Sequence, residues 1–130
     1  MKRRFLTSDS LPPGPGYSHG VTVSGGHTTW TAGQVPLDAR GDVVGVGDMR
    51  AQARQVFTNL QAVLGEAGAT FADVVKFTYF VTDISELEAV RAVRDEFVDP
   101  ERLPASTLVE VAALFRPDVM IDVEAIVVVD

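Results

Sequence analysis

The sequence contains no cysteine. Disulfides, thiolate metal sites and cysteine nucleophiles are therefore excluded. Histidine is almost as scarce. His19 and His27 are too few for a histidine cage, and no carboxylate completes a recognised ligand spacing. No metal and no cofactor are expected. Gly14 and Gly16 sit among prolines and precede no helical pattern, so there is no phosphate-binding loop. No window approaches the length of apolar chain that crosses a bilayer, so no membrane partner is expected. Met1-Lys2-Arg3-Arg4 has the charge of a signal-peptide start. Only Phe5 and Leu6 follow it before polar residues, so a secretory signal is not expected and a cytoplasmic setting is. Basic charge is in short supply: 11 Lys and Arg against 18 Asp and Glu give a net charge of −7. Apart from Lys2, Arg3 and Arg4 the cations are scattered, which disfavours nucleic acid as a partner.

What is present fits one globular domain, residues 1–130, with 46% hydrophobic and 22% charged residues. Leu11 to Tyr17 is too rich in Pro and Gly for a helix or a central strand, and reads as a loop. Val21–Ser24 and His27–Thr31 are β-prone runs around Gly25-Gly26, which predicts a hairpin. From Met49 to Ala67, apolar residues recur at helical spacing. Asp48 is placed to cap this helix and Gly68 to stop it. Asp73–Val81 reads as a strand with few polar positions on either face. Ser85 and Glu88 have capping-box spacing before a second helix with a Leu87, Val90, Val93, Phe97 stripe. Thr107–Val111 and Val119–Val129 read as two further strands. In the longer one, Ile121, Val123, Ala125 and Val127 share one face, and Asp122 and Glu124 share the other.

A mixed sheet with both helices on one face buries every amphipathic stripe. The opposite face would carry Glu110, Asp122 and Glu124 among apolar residues, a mixture better suited to a subunit interface than to open water.

Several segments in this order resemble the RidA (YjgF) family: Gly16-Tyr17-Ser18-His19-Gly20, Thr31-Ala32-Gly33-Gln34-Val35-Pro36, and Gln52 followed by Asn59-Leu60 and Ala67-Gly68. Asp73 to Lys76, Thr82-Asp83, Pro104-Ala105, Val109-Glu110-Val111 and Ile121 to Ala125 continue the likeness, which runs from about Pro15 to Val129. The resemblance implies a chorismate-mutase-like α+β fold. It also implies a homotrimer built around a barrel of sheets, with small-molecule clefts between subunits. Its enzymatic members hydrolyse enamines and imines to 2-keto acids and ammonia. In those members an arginine after the Pro-Ala pair clamps the substrate carboxylate, because a planar guanidinium fork matches it. Here that position is Ser106. The serine of the family's S-G-Q motif is Ala32, a cleft cysteine is Leu108, and an asparagine of the second helix is Arg91. The cleft tyrosine and glutamate survive as Tyr17 and Glu124.

Glu124 and Tyr17 are thus the candidate catalytic residues, with Ala32, Gly33, Arg91, Ser106 and Leu108 as candidate binding residues. Burial of Glu124 among apolar neighbours would favour a neutral carboxyl able to orient or activate water. Its competing role is a structural ion pair. Tyr17 either lines a cleft or simply packs. Gly33 either offers amides to an anion or only forms a tight turn. Arg91 either replaces the missing clamp or pairs in solvent with Glu88 or Asp95. Ser106 has no histidine to activate it, which favours a strand-edge hydroxyl over a nucleophile. Two main readings follow: a hydrolase of a neutral or differently charged imine, enamine or related small metabolite, and a non-catalytic binder of a small molecule (2-keto acid or imine-like) or interaction protein on the same trimer. A ribonuclease, an old label attached to the family, is disfavoured by the acidic charge.

Overall fold

Helix α1 (Met49–Glu66) starts and stops where the periodicity predicts. The Asp48 carboxylate accepts the Ala51 N–H at 3.1 Å, satisfying one of the free amides of the first turn. Gly68, at φ +69°, then turns the chain away. The computed structural model describes residues 1–130. Strands β1 (Lys2–Leu6), β2 (Gly20–Ser24), β3 (His27–Trp30), β4 (Val74–Val81), β5 (Ala105–Glu110) and β6 (Ile121–Val129) accompany α1 and α2 (Leu87–Phe97).

Four strands form the main sheet in the order β3-β6-β4-β5, with β4–β5 parallel and the other pairs antiparallel. Both helices cover one face of this mixed sheet, as the amphipathic stripes require. Phe77, Tyr79 and Val81 of β4 and Ile121, Val123, Ala125 and Val127 of β6 meet α1 and α2 in one buried cluster. A bulge between Val74 and Lys76 turns Val74 inward, which shifts the strand's alternation by one place at its start. Phe57 is fully buried and touches four rings: Phe71, Phe77, Tyr79 and Phe97 lie 5.3–6.3 Å away between centroids.

The one buried amide side chain is fully engaged. Gln52 donates to the Gly45 and Asp118 carbonyls at 3.1 and 2.8 Å and accepts the Met120 N–H at 2.8 Å. It fastens α1 to the loop that leads into β6, with no buried polar atom of its own left over.

Two local expectations are corrected. The Gly25-Gly26 turn, with φ of +79° and +83°, does not close a hairpin. It carries the chain from one sheet to another: β2 pairs with β1, and β3 pairs with β6. A two-residue turn does not itself choose partners, and β6 offers β3 the longer apolar ladder, with Val128 opposite Thr28 and Ile126 opposite Trp30. The predicted Ser85/Glu88 box also does not form. Asp83 accepts from both the Ser85 N–H and hydroxyl at 3.0 and 2.6 Å, which spends Ser85 on a short 3-10 turn ahead of α2. Strand β1 was hidden by its charge. Its Arg3 points inward and donates to the Ala72 and Val128 carbonyls at 2.8 and 2.6 Å, tying the β1–β2 ribbon to the main sheet.

Candidate functional site

The candidate residues fall into two groups on opposite faces of the main sheet. The first group lies on the helix side, at the β5 edge. Register places Ser106 beside Phe77 and Leu108 beside Tyr79, so both share the face that α2 covers. Tyr17 is brought to the same place by the loop before β2. Ser18 donates its N–H to the Pro104 carbonyl at 3.0 Å and its hydroxyl to the Leu103 carbonyl at 2.6 Å. The Tyr17 ring meets His19 edge-on at 5.6 Å. Tyr17, Tyr79, Arg91, Arg94, Ser106 and Leu108 line a cavity of about 110 Å³, with Pro15, Leu87 and Val90 completing its apolar wall.

The charged side chains that line this cavity are both cations, each paired with a carboxylate outside it. The cavity is lined by two guanidiniums and no carboxylate. Arg91 is 36% exposed and pairs loosely with Glu88 at 3.4 Å. It stands at the cavity's rim. Arg94 is more enclosed, at 14% exposure, and bonds the exposed Asp95 through Nε and Nη2 at 3.1 and 3.0 Å. Gly16, at φ +82°, lies so close to this guanidinium that any Cβ there would collide with it. Tyr79 is 3% exposed, and its hydroxyl has no hydrogen-bond partner. Burial pushes its pKa up, while Arg94 pulls it down, so the phenol stays protonated at neutral pH. A buried hydroxyl without a partner typically costs about 1–3 kcal/mol.

The second group lies on the outer face. Glu124 stands opposite Thr78 in the ladder, and a small hollow of about 100 Å³ runs between Trp30, Thr31, Lys76, Thr78 and Glu124. The expected burial of Glu124 is not met within one chain: its side is the open face of the sheet, and the residue is exposed. Desolvation falls instead on its neighbour Asp122, two residues earlier on that face. Burial first, and the Glu124 charge second, push the Asp122 carboxyl up. Asp122 Oδ1 is buried without a partner against Gly33, where a Cβ would strike the carboxylate. Gly33 therefore does more than turn the chain; it leaves room for Asp122. The ladder from this segment to β6 runs through Thr31 and Gln34, whose amides bond the Ala125 and Val123 carbonyls at 2.9 and 2.8 Å. Ala32 and Gly33 between them are exposed.

The structure thus unites Tyr17, Arg91, Ser106 and Leu108, and separately gathers Ala32, Gly33 and Glu124 near β6. Sequence reasoning missed Arg94, Tyr79 and Asp122 as site residues. Arg94 was findable, since it lies three residues after Arg91 and hence on the same helical face. Tyr79 read as plain core, and nothing in a strand pattern shows that a hydroxyl lacks a partner. On the β1–β2 ribbon, Lys2, Arg3, Arg4, Thr22 and Ser24 rim an open hollow, but the Arg3 guanidinium is already engaged by carbonyls. No group of three His, Asp or Glu is placed to hold a metal ion, and no helix is long and apolar enough to cross a membrane.

Comparison with known proteins agrees with this architecture. The sequence model of the family described as Endoribonuclease L-PSP matches residues 7–129. A RutC family protein of Synechocystis is 39% identical over 118 residues, covering 90% of this chain and 88% of its own. The 2-iminobutanoate/2-iminopropanoate deaminase of Escherichia coli is 36% identical over 129 residues, covering 96% and 97% respectively. Among solved structures, a Rid family protein of unknown function from Yersinia pestis superimposes with a TM-score of 0.88. Its identity is 36%, covering 99% of this chain and 100% of that one. Matches of this extent, on a fold whose helices and mixed sheet follow the same plan, leave one conclusion: the chain belongs to the RidA (YjgF) family.

Proposed function

We propose that this protein hydrolyses a small imine or enamine of a 2-keto acid, in clefts formed where neighbouring copies of the chain meet in a homotrimer. The observation that carries the reading is the split of the site. The α2–β5 cavity with Tyr17 and Ser106 lies at one edge of the sheet, and Glu124 with Ala32 and Gly33 lies on the other face toward β3. Two different surfaces that complete each other make a heterologous contact, and such contacts close into rings when the rotation allows. The exposed apolar groups of the outer face, Trp30 at 70% and Val109 at 40% exposure, supply area for that contact. Three near relatives in sequence named 2-iminobutanoate/2-iminopropanoate deaminase support the reaction class.

The chemistry is addition and elimination. Water adds across C=N, a carbinolamine forms, and ammonia leaves to give C=O. Glu124 would take a proton from the attacking water and return it to the nitrogen that leaves as ammonia, and a neighbouring chain covering the outer face would dry its surroundings and sharpen that role. Tyr17 would hold the substrate's reacting end, the Gly33 segment would offer amides, and Arg91, Ser106 and Leu108 would shape the binding end. The reading that competes is a binder of 2-keto acids on the same trimer.

A panel of imines generated in situ from amino acids separates the two. The expected result is protein-dependent ammonia release, from a species of three times the 14.0 kDa protomer mass. Saturable binding of 2-keto acids without ammonia release would establish the binder instead.

A further inference from the structure

We propose that Arg94 and the Tyr79 hydroxyl form an anion clamp, which takes the carboxylate of a short 2-keto or 2-imino acid in the cavity between α2 and β5. The proposal rests on the small-acid reading above and adds which side chains hold the acid group.

Three observations converge on it. The Tyr79 side chain lines the cavity, and its hydroxyl is buried and has no partner. Buried polar groups are normally satisfied, and an exception calls for an occupant or a task. The second observation is Arg94. It lines the same cavity, stands close enough to act electrostatically on Tyr79, and is engaged only by the exposed Asp95 through Nε and Nη2. The third is the donor balance. A guanidinium, a phenol and the Ser106 hydroxyl can all donate; no carboxylate lines the cavity, and the Asp95 that pairs with Arg94 is 68% exposed. Such a set suits a negatively charged acceptor with two oxygens. The apolar remainder, Leu87, Val90 and Leu108, suits a short alkyl chain, and about 110 Å³ limits the guest to a few heavy atoms. Arg91 is the more open of the two arginines, at 36% exposure against 14% for Arg94, and pairs with Glu88 at 3.4 Å, so it stands at the mouth of the cavity.

The test is a calorimetric titration of 2-oxobutanoate and its uncharged amide into wild type, Arg94→Gln and Tyr79→Phe. Wild type is expected to prefer the acid over the amide by about tenfold or more. Arg94→Gln should lose about tenfold for the acid and nothing for the amide, which also shows that the variant is folded. Tyr79→Phe keeps the ring and should lose roughly three- to tenfold for the acid. Unchanged acid affinity in both Arg94→Gln and Tyr79→Phe would overturn the clamp and assign the Tyr79 hydroxyl a bound water. Equal wild-type affinity for acid and amide would overturn it as well. If wild type binds neither compound yet releases ammonia from imines, the clamp falls alone. If it does neither, the clamp and the proposed function fall together.

Discussion

Ammonia release from 2-iminobutanoate should drop by about 100-fold or more in Glu124→Gln, with little change in substrate affinity. Glutamine keeps the shape and can still hold a water, but it cannot take that water's proton. The location makes the substitution clean. Glu124 is exposed on the outer face, opposite Thr78, with no ion pair and no hydrogen bond to lose. Protomer stability should move by no more than about 0.5 kcal/mol, so a melting curve like that of wild type accompanies the lost activity. A purely structural role for Glu124 predicts the reverse: a shifted melting point or a dissociated assembly, with activity lost only in proportion.

The largest effect on stability should come from Phe57→Ala. Phe57 is fully buried and touches rings from α2, β4 and the turn before β4, so truncation opens a cavity that no single neighbour can fill. Losses at such sites run to about 3–5 kcal/mol, a large share of the roughly 5–15 kcal/mol that holds a domain together. Thermal unfolding should move down by roughly 10–20 °C. Phe57→Leu retains most of the volume and should cost clearly less. Equal melting points for wild type and Phe57→Ala would mean that this cluster is not the centre of the fold.

Some of this organisation was written locally in the chain. Helix α1 was readable because its period, its Asp48 cap and its Gly68 stop agree. Strand β6 was readable because strict alternation separates Val123 and Ala125 from Asp122 and Glu124. Pairing was not readable: Gly25-Gly26 marks a turn, while the choice of β1 for β2 and β6 for β3 depends on residues far along the chain, as in the pairing of His27 with Val129. Strand β1 was missed because an inward arginine that bonds carbonyls looks, in sequence, like solvated charge. The side of the sheet on which Glu124 lies was legible, but its exposure in a single chain was not, because the pattern cannot say whether a face is open or covered. For the clamp, motif spacing directed attention to Arg91, and only the three-dimensional placement of Tyr79 distinguishes Arg94 from it.

That the site is shared between chains can be measured by mixing two disabled proteins. Glu124→Gln and Tyr17→Ala, each cut at least about tenfold in ammonia release, would be unfolded together and refolded as mixed assemblies. In a ring of three, every mixed assembly restores one cleft with an intact Tyr17 side and an intact Glu124 side. Activity should therefore return to roughly a quarter of wild type. No recovery above the two separately refolded variants, in samples shown to contain both chains, would contradict a site built from neighbouring protomers.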